Sequence, residues 1–272
     1  MISTFISSAP PAVKGKGSIA DVYSDKTDDN FGIGENLAFH ADAEDNIAIG
    51  ENALNSTSGD ADWNIGIGTS ALTAVTTGDA NIAIGYEAGS KLTANNKNVV
   101  IGYGALTTAD NGEHSNVVVG YGAMTNVNND SADYNVAIGQ TALSGGTSTG
   151  ANNVAIGRDV MNNSSNAADS CVMIGNSAGQ GAMTANSDYT VAIGYQALKA
   201  LSTGAANLAI GYNAMLTHTT GNSNIAIGYE AMDDTDAGSN SLGSEHNMFI
   251  GKNSGGGTWA DAASQYNVAI SN

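Results

Sequence analysis

The sequence predicts an all-β chain folded as a parallel β-roll, a solenoid of about 14 short-stranded rungs, and three observations carry that expectation. The phrase Asn-aliphatic-small-Ile-Gly returns fourteen times between Asn30 and Ser271, as in NIAIG at 46–50, NIAIG at 81–85 and NVAIG at 135–139. A unit of about 18 residues is too short to bury its own apolar face, so successive copies must stack and share one elongated core. Composition agrees: 35 Gly supply turns, and the only 2 Pro, Pro10 and Pro11, interrupt no ladder.

Taken in chain order, residues 1–29 stand outside the repeat and residues 30–272 form the repetitive shaft or head. The first segment carries apolar Ile2, Phe5 and Ile6, then Pro10 and Pro11, and three of the eight basic residues, Lys14, Lys16 and Lys26. It is expected to dock the chain onto a larger particle; the alternative is the loose tail common at chain ends.

Within each phrase the two aliphatic residues lie one residue apart and share a strand face, as Ile47 and Ile49 or Ile82 and Ile84 do. They are expected to form the core of the rung. The middle residue, Ala in eight copies and Gly in two, should then face outward, kept small by a sister chain pressing against it. The head Asn, present in twelve of fourteen copies and exemplified by Asn46 and Asn81, should form an amide ladder or hold a left-handed turn. Gly at the fifth position, as Gly50 and Gly85, turns the chain out of the strand.

After the Gly comes a second short segment, YEAG at 86–89 or YGAM at 121–124, which is read as a second strand. Six of the ten tyrosines follow the Gly directly: Tyr86, Tyr103, Tyr121, Tyr195, Tyr212 and Tyr229. Rungs about 4.8 Å apart would stack them into a ladder. That ladder is structural on this reading, with a ligand-binding aromatic stripe as the alternative. The loops that close each turn are rich in Asn, Ser, Thr, Asp and Gly, and the longest Gly-to-Gly spacing, Gly228 to Gly251, should protrude furthest.

The formal charge of −18, from 26 acidic and 8 basic residues, excludes nucleic acid as a partner and disfavours an anionic membrane surface. No run reaches the roughly 18 apolar residues of a membrane span, so no membrane insertion is expected. The acids lie between the phrases, as a solvated loop surface that keeps a long β structure soluble. One cysteine, Cys171, excludes an internal disulfide and occupies a head position, as a small buried substitute for Asn.

No catalytic constellation stands out, and the chain is read as no enzyme and as needing no cofactor. His40, His114, His218 and His246 lack metal-ligand spacing, no GxSxG elbow occurs, and the GYG strings lack the strand-helix context of a phosphate loop. The hexapeptide β-helix of acyltransferases fails because its next aliphatic position falls on Asn55, Thr73 and Thr107. Calcium is the one metal with candidate ligands, Asp234 and Asp236, or Asp60 and Asp62, and neither run completes a known loop pattern.

The NxAIG phrase with its short second segment resembles the head repeats of trimeric autotransporter adhesins from Asn30 to Ser271, and NIAIGYEA at 81–88 is similar to repeats in fibre proteins of tailed bacteriophages. The resemblance implies a homotrimer and a left-handed roll, and is specific for architecture rather than for ligand. The secretion signal, stalk and anchor of an autotransporter are not recognisable here, which favours the phage reading. On that reading the chain is a fibre or spike of a virion, assembled in the host cytoplasm, exposed on the released particle, and presenting loops for host-surface attachment. A capsid-mounted decoration fibre without a receptor role and a cell-surface adhesin head are the alternatives. Expected partners are sister chains, another virion protein gripping residues 1–29, and a host-surface glycan touching Trp259 or the loop from Asp233 to His246.

Overall fold

The computed structural model describes residues 22–24, 28–55, 59–109, 112–127, 130–145, 150–163, 166–234, 243–256 and 264–271. Each repeat contributes one three-residue strand. The fourteen strands, from β2 (Phe31–Ile33) and β3 (Ile47–Ile49) to β14 (Met248–Ile250) and β15 (Val268–Ile270), stack in chain order as one parallel sheet. Ahead of them β1 (Val22–Ser24) pairs antiparallel with β2, so part of the N-terminal segment belongs to the sheet. Register is the same throughout: Ile82, Ala83 and Ile84 lie opposite Val99, Val100 and Ile101, and no later strand slips. The product is a β-solenoid whose only described helix is one 3₁₀ turn, Ala185–Ser187.

The faces of the strand are reversed from the sequence expectation. The small middle residues, Ala48, Ala83, Ala137 and Ala209 among them, are fully buried inside the roll, whereas Ile47 and Ile49 and their counterparts point outward and are half-buried. The cause is the width of the interior. Leu or Met four residues after most of the anchor glycines, such as Leu72, Met124, Leu198 and Met215, is fully buried and fills the space opposite the strand, so the centre is usually Ala and at most Val where that residue is present. Where the centre is large, the opposite position gives way. A Cβ on Gly179 would lie 2.8 Å from the Met173 sulfur, and one on Gly255 would lie 2.5 Å from the Phe249 ring. The alanines are thus small because of side chains in their own chain.

The segment after the Gly is a chain of turns and not the second strand that its apolar residues predict. Its second and fourth residues have positive φ, 56° at Asn52 and 45° at Leu54, which breaks the extended geometry. Its rungs are nevertheless tied together, the Leu54 N–H donating to Ala71 O at 3.0 Å and the Leu72 N–H to Ala88 O at 3.1 Å. The anchor Gly behaves as expected: Gly85 has φ of 137°, and a Cβ there would sit 2.5 Å from the Gly102 carbonyl oxygen of the next rung.

Candidate functional surface

Four vertical columns flank each strand, and their side chains form the surface on which any function must be built. Nearest the core is the head Asn. Asn81 is fully buried; its Oδ1 accepts from the Asn98 N–H at 3.0 Å, and its Nδ2 donates to the Asn95 carbonyl of the next loop at 2.7 Å. The same pair of bonds recurs at Asn46, Asn116 and Asn135, so the expected amide ladder is present. It is broken once. Cys171 donates weakly to Ser187 O at 3.4 Å, and the buried Thr190 hydroxyl oxygen has no partner among the described residues. Burial pushes the Cys171 thiol up to about 11, away from reactivity.

The residue with positive φ is not the Asn but the one before it. Trp63, Tyr134, Tyr189 and Tyr266 occupy this place with φ between 57° and 59°, and they are among the most exposed aromatics of the chain. One residue earlier stands a column of acceptors, built from acids that sequence alone suggests only as a solvated loop surface. Asp62 Oδ1 accepts from the Glu44 N–H at 2.7 Å, Asp79 Oδ1 from Asp62 at 3.0 Å, Asp133 Oδ1 from His114 at 2.6 Å and Asp188 Oδ1 from Asp169 at 2.8 Å. These acids are therefore more than a solubilising coat, because each one holds the backbone of its neighbour. Their signal was visible as the strings ADWN, ADYN and SDYT, an acid two places before the head residue.

On the other side of the strand the tyrosines stack as expected. Tyr86, Tyr103 and Tyr121 have ring centroids 4.9 and 5.5 Å apart, and Tyr195, Tyr212 and Tyr229 are 5.1 Å apart at both steps. Lys252 Nζ lies 5.5 Å from the Tyr229 ring and caps the second ladder. The Glu87 carboxylate, as hydrogen-bond acceptor and as charge, raises Tyr86 above the usual phenol range, and Glu230 does the same to Tyr229.

Between the tyrosine column and the Trp63–Tyr134–Tyr189 column lie the outward Ile and Val pairs. With strands about 4.8 Å apart, fourteen of them make an apolar face roughly 60 Å long, and with outward residues plus bordering tyrosines it is roughly 13 Å wide. That is roughly 800 Å², above the few hundred Å² usual for one apolar patch on a monomer.

Of the remaining expected site residues, His246 and Asp233 are not brought together. His246 sits in the positive-φ column and stacks on Tyr266 at 5.2 Å, while the Asp233 carbonyl accepts from the Thr217 N–H at 3.1 Å. Trp259 and Asp236 lie outside the described residues, and among the described residues no three His, Cys, Asp or Glu converge as metal ligands. His218 is fully buried at the core position that Val75, Leu92 and Leu201 hold in other rungs. An open cleft of about 500 Å³ lies beside Asp188 and Tyr189, at the rung that contains the 3₁₀ turn. No protein-family model matches the chain, and neither a curated protein nor a solved structure proved similar to it.

Proposed function

We infer that the chain is a structural protein that works as a homotrimer, a left-handed β-roll forming a rigid fibre or spike on a bacteriophage virion and presenting its loops for host attachment. One observation carries the assembly: the outward Ile and Val face. Exposing roughly 800 Å² of apolar surface is unfavourable in water, and this area matches what one partner contributes to a stable protein interface. Three such faces packed around an axis remove it from solvent. The interface thus lies on the Ile and Val columns, and not on the alanines. The virion location and the docking of residues 1–29 on another virion protein rest on the likeness of the NIAIGYEA phrases to phage fibre repeats. A capsid-mounted decoration fibre and a cell-surface adhesin head share the same assembly.

Sedimentation of the purified protein tests the assembly. Three chains of 27.3 kDa give about 82 kDa, and a chain carrying both Ile101→Asp and Ile138→Asp should sediment at 27.3 kDa with an unchanged β spectrum. Both side chains are 36% exposed in the single chain, so the charges load the interface rather than the core. A wild-type monomer at micromolar concentration would remove the inference. Gold-labelled antibody on intact particles locates the chain: tail labelling supports attachment, capsid labelling supports decoration, and unlabelled particles refute the virion role.

A further inference from the structure

The cleft beside Tyr189 exists because the repeat is interrupted there. In the positive-φ column Tyr189 is followed, one rung on, by Ala206, and in the acceptor column Asp188 is followed by Ala205 and then Asn222. Two adjacent alanines remove the side chains that would otherwise cover the ring, which is 69% exposed. The floor is backbone at Gly204, which has φ of 121° and whose N–H donates to Asn186 O at 2.9 Å. The walls are polar. Asp188 Oδ1 is occupied by the Asp169 N–H at 2.8 Å, while its second oxygen has no bond among the described residues. The Asn186 side chain, carried on the 3₁₀ turn, is exposed and likewise makes no side-chain bond among them. Asn222 uses its oxygen on the Ala205 N–H at 2.8 Å and one amide hydrogen on Glu245 at 3.3 Å, which leaves a second amide hydrogen.

We propose that this cleft binds a neutral pyranose oligosaccharide, the Tyr189 ring stacking on the C–H face of one sugar while Asp188 accepts, and Asn186 and Asn222 donate to, its hydroxyls. An accessible aromatic plane flanked by a carboxylate and two amides matches a pyranose, which has an apolar face and a rim of hydroxyl groups. The chain's charge of −18, with Asp188 in the wall itself, selects against uronic and sialic acids. Two further pairs, Asp62 with Trp63 and Asp133 with Tyr134, repeat the acid-aromatic motif before residues Ala80 and Asn152. They stand about 14 and 19 Å apart along the axis at about 4.8 Å per rung, a spacing that lets one long polysaccharide engage more than one pair. The proposal rests on the attachment reading and names the ligand of that role.

Saturation-transfer NMR on the full-length protein tests it, with maltotetraose, cellotetraose and chitotetraose as separate probes and a tetra-uronate for comparison. Millimolar binding of at least one neutral probe is expected, with Tyr189→Ala weakening it by about tenfold. That substitution is benign for folding, since Ala80 and Ala206 already hold the same place with φ of 57° and 58°. Asp188→Asn keeps the acceptor for Asp169, as Asn96 does for Asp79 at 2.6 Å, and should weaken binding severalfold with unchanged sedimentation. No transfer to any neutral probe, equal binding by the Tyr189→Ala chain, or preference for the uronate would overturn the proposal. Particle labelling is a separate readout: sugar binding by a chain missing from virions supports the cleft and refutes only the attachment role.

Discussion

Removing one head Asn should cost far more than one surface hydrogen bond. Asn116 is fully buried; its Oδ1 takes the Asn135 N–H at 2.8 Å, and its Nδ2 reaches the Ala132 carbonyl at 2.8 Å. Asn116→Ala leaves both partners buried and unbonded, and each such group costs about 1–3 kcal/mol, so the rung should lose about 2–6 kcal/mol. Native-state hydrogen exchange resolves this locally, which suits a repeat array whose unfolding need not be two-state. A loss of about 3 kcal/mol should speed exchange of the Asn135 amide more than about a hundredfold. The reciprocal change, Thr190→Asn, would supply an acceptor for the Asn207 N–H and a donor for Gly204 O, which Asn207 Nδ2 now contacts at 3.0 Å. It should gain about 1 kcal/mol. If Asn116→Ala changes the Asn135 exchange rate less than about threefold, the ladder is a by-product of stacking and not a cause of it.

Two further predictions follow from the interior. Ala137→Met should overpack its rung by about 1–3 kcal/mol in thermal melts at fixed chain concentration, and the double change Ala137→Met with Leu143→Gly should recover most of that loss, as the natural Met173–Gly179 pair implies. Cys171, whose ordinary pKa is 9.0, is raised by burial to about 11, so it favours the folded state fully below pH 9 and ceases to do so as pH rises through 11. Stability measured between those values should fall in the wild type and fall less in Cys171→Ala, and thiol labelling at pH 8 should proceed only as fast as the rung opens.

The period, the number of rungs and their register were legible because fourteen copies of one phrase average out local noise. The amide and tyrosine ladders followed from the same logic. Hydrophobic ordering points the wrong face of the strand inward, because Ile outranks Ala on any such scale, while the interior is limited by volume rather than by apolarity. The pairing of Met173 with Gly179 and of Phe249 with Gly255 held that information, since a large residue facing a glycine marks two positions that share a space. The turn segment resembles a strand in sequence because positive φ at residues such as Leu54 and Met124 leaves no mark in composition. The acid column was hidden by the ordinary reading of loop carboxylates as solvated.

A solenoid of this kind separates the tasks of its side chains by column. Inward columns are confined by volume, the Asn and Asp columns bind rung to rung, and the Ile and Val columns face outward. Each column repeats, so a single rung can depart from the pattern while its neighbours hold the backbone in register. The rung after Tyr189 does this at Ala205 and Ala206, and the cleft lies there. Specific recognition on such a scaffold is to be sought at the irregular rungs: a regular column presents the same chemistry at every step and cannot distinguish one position of a ligand from the next.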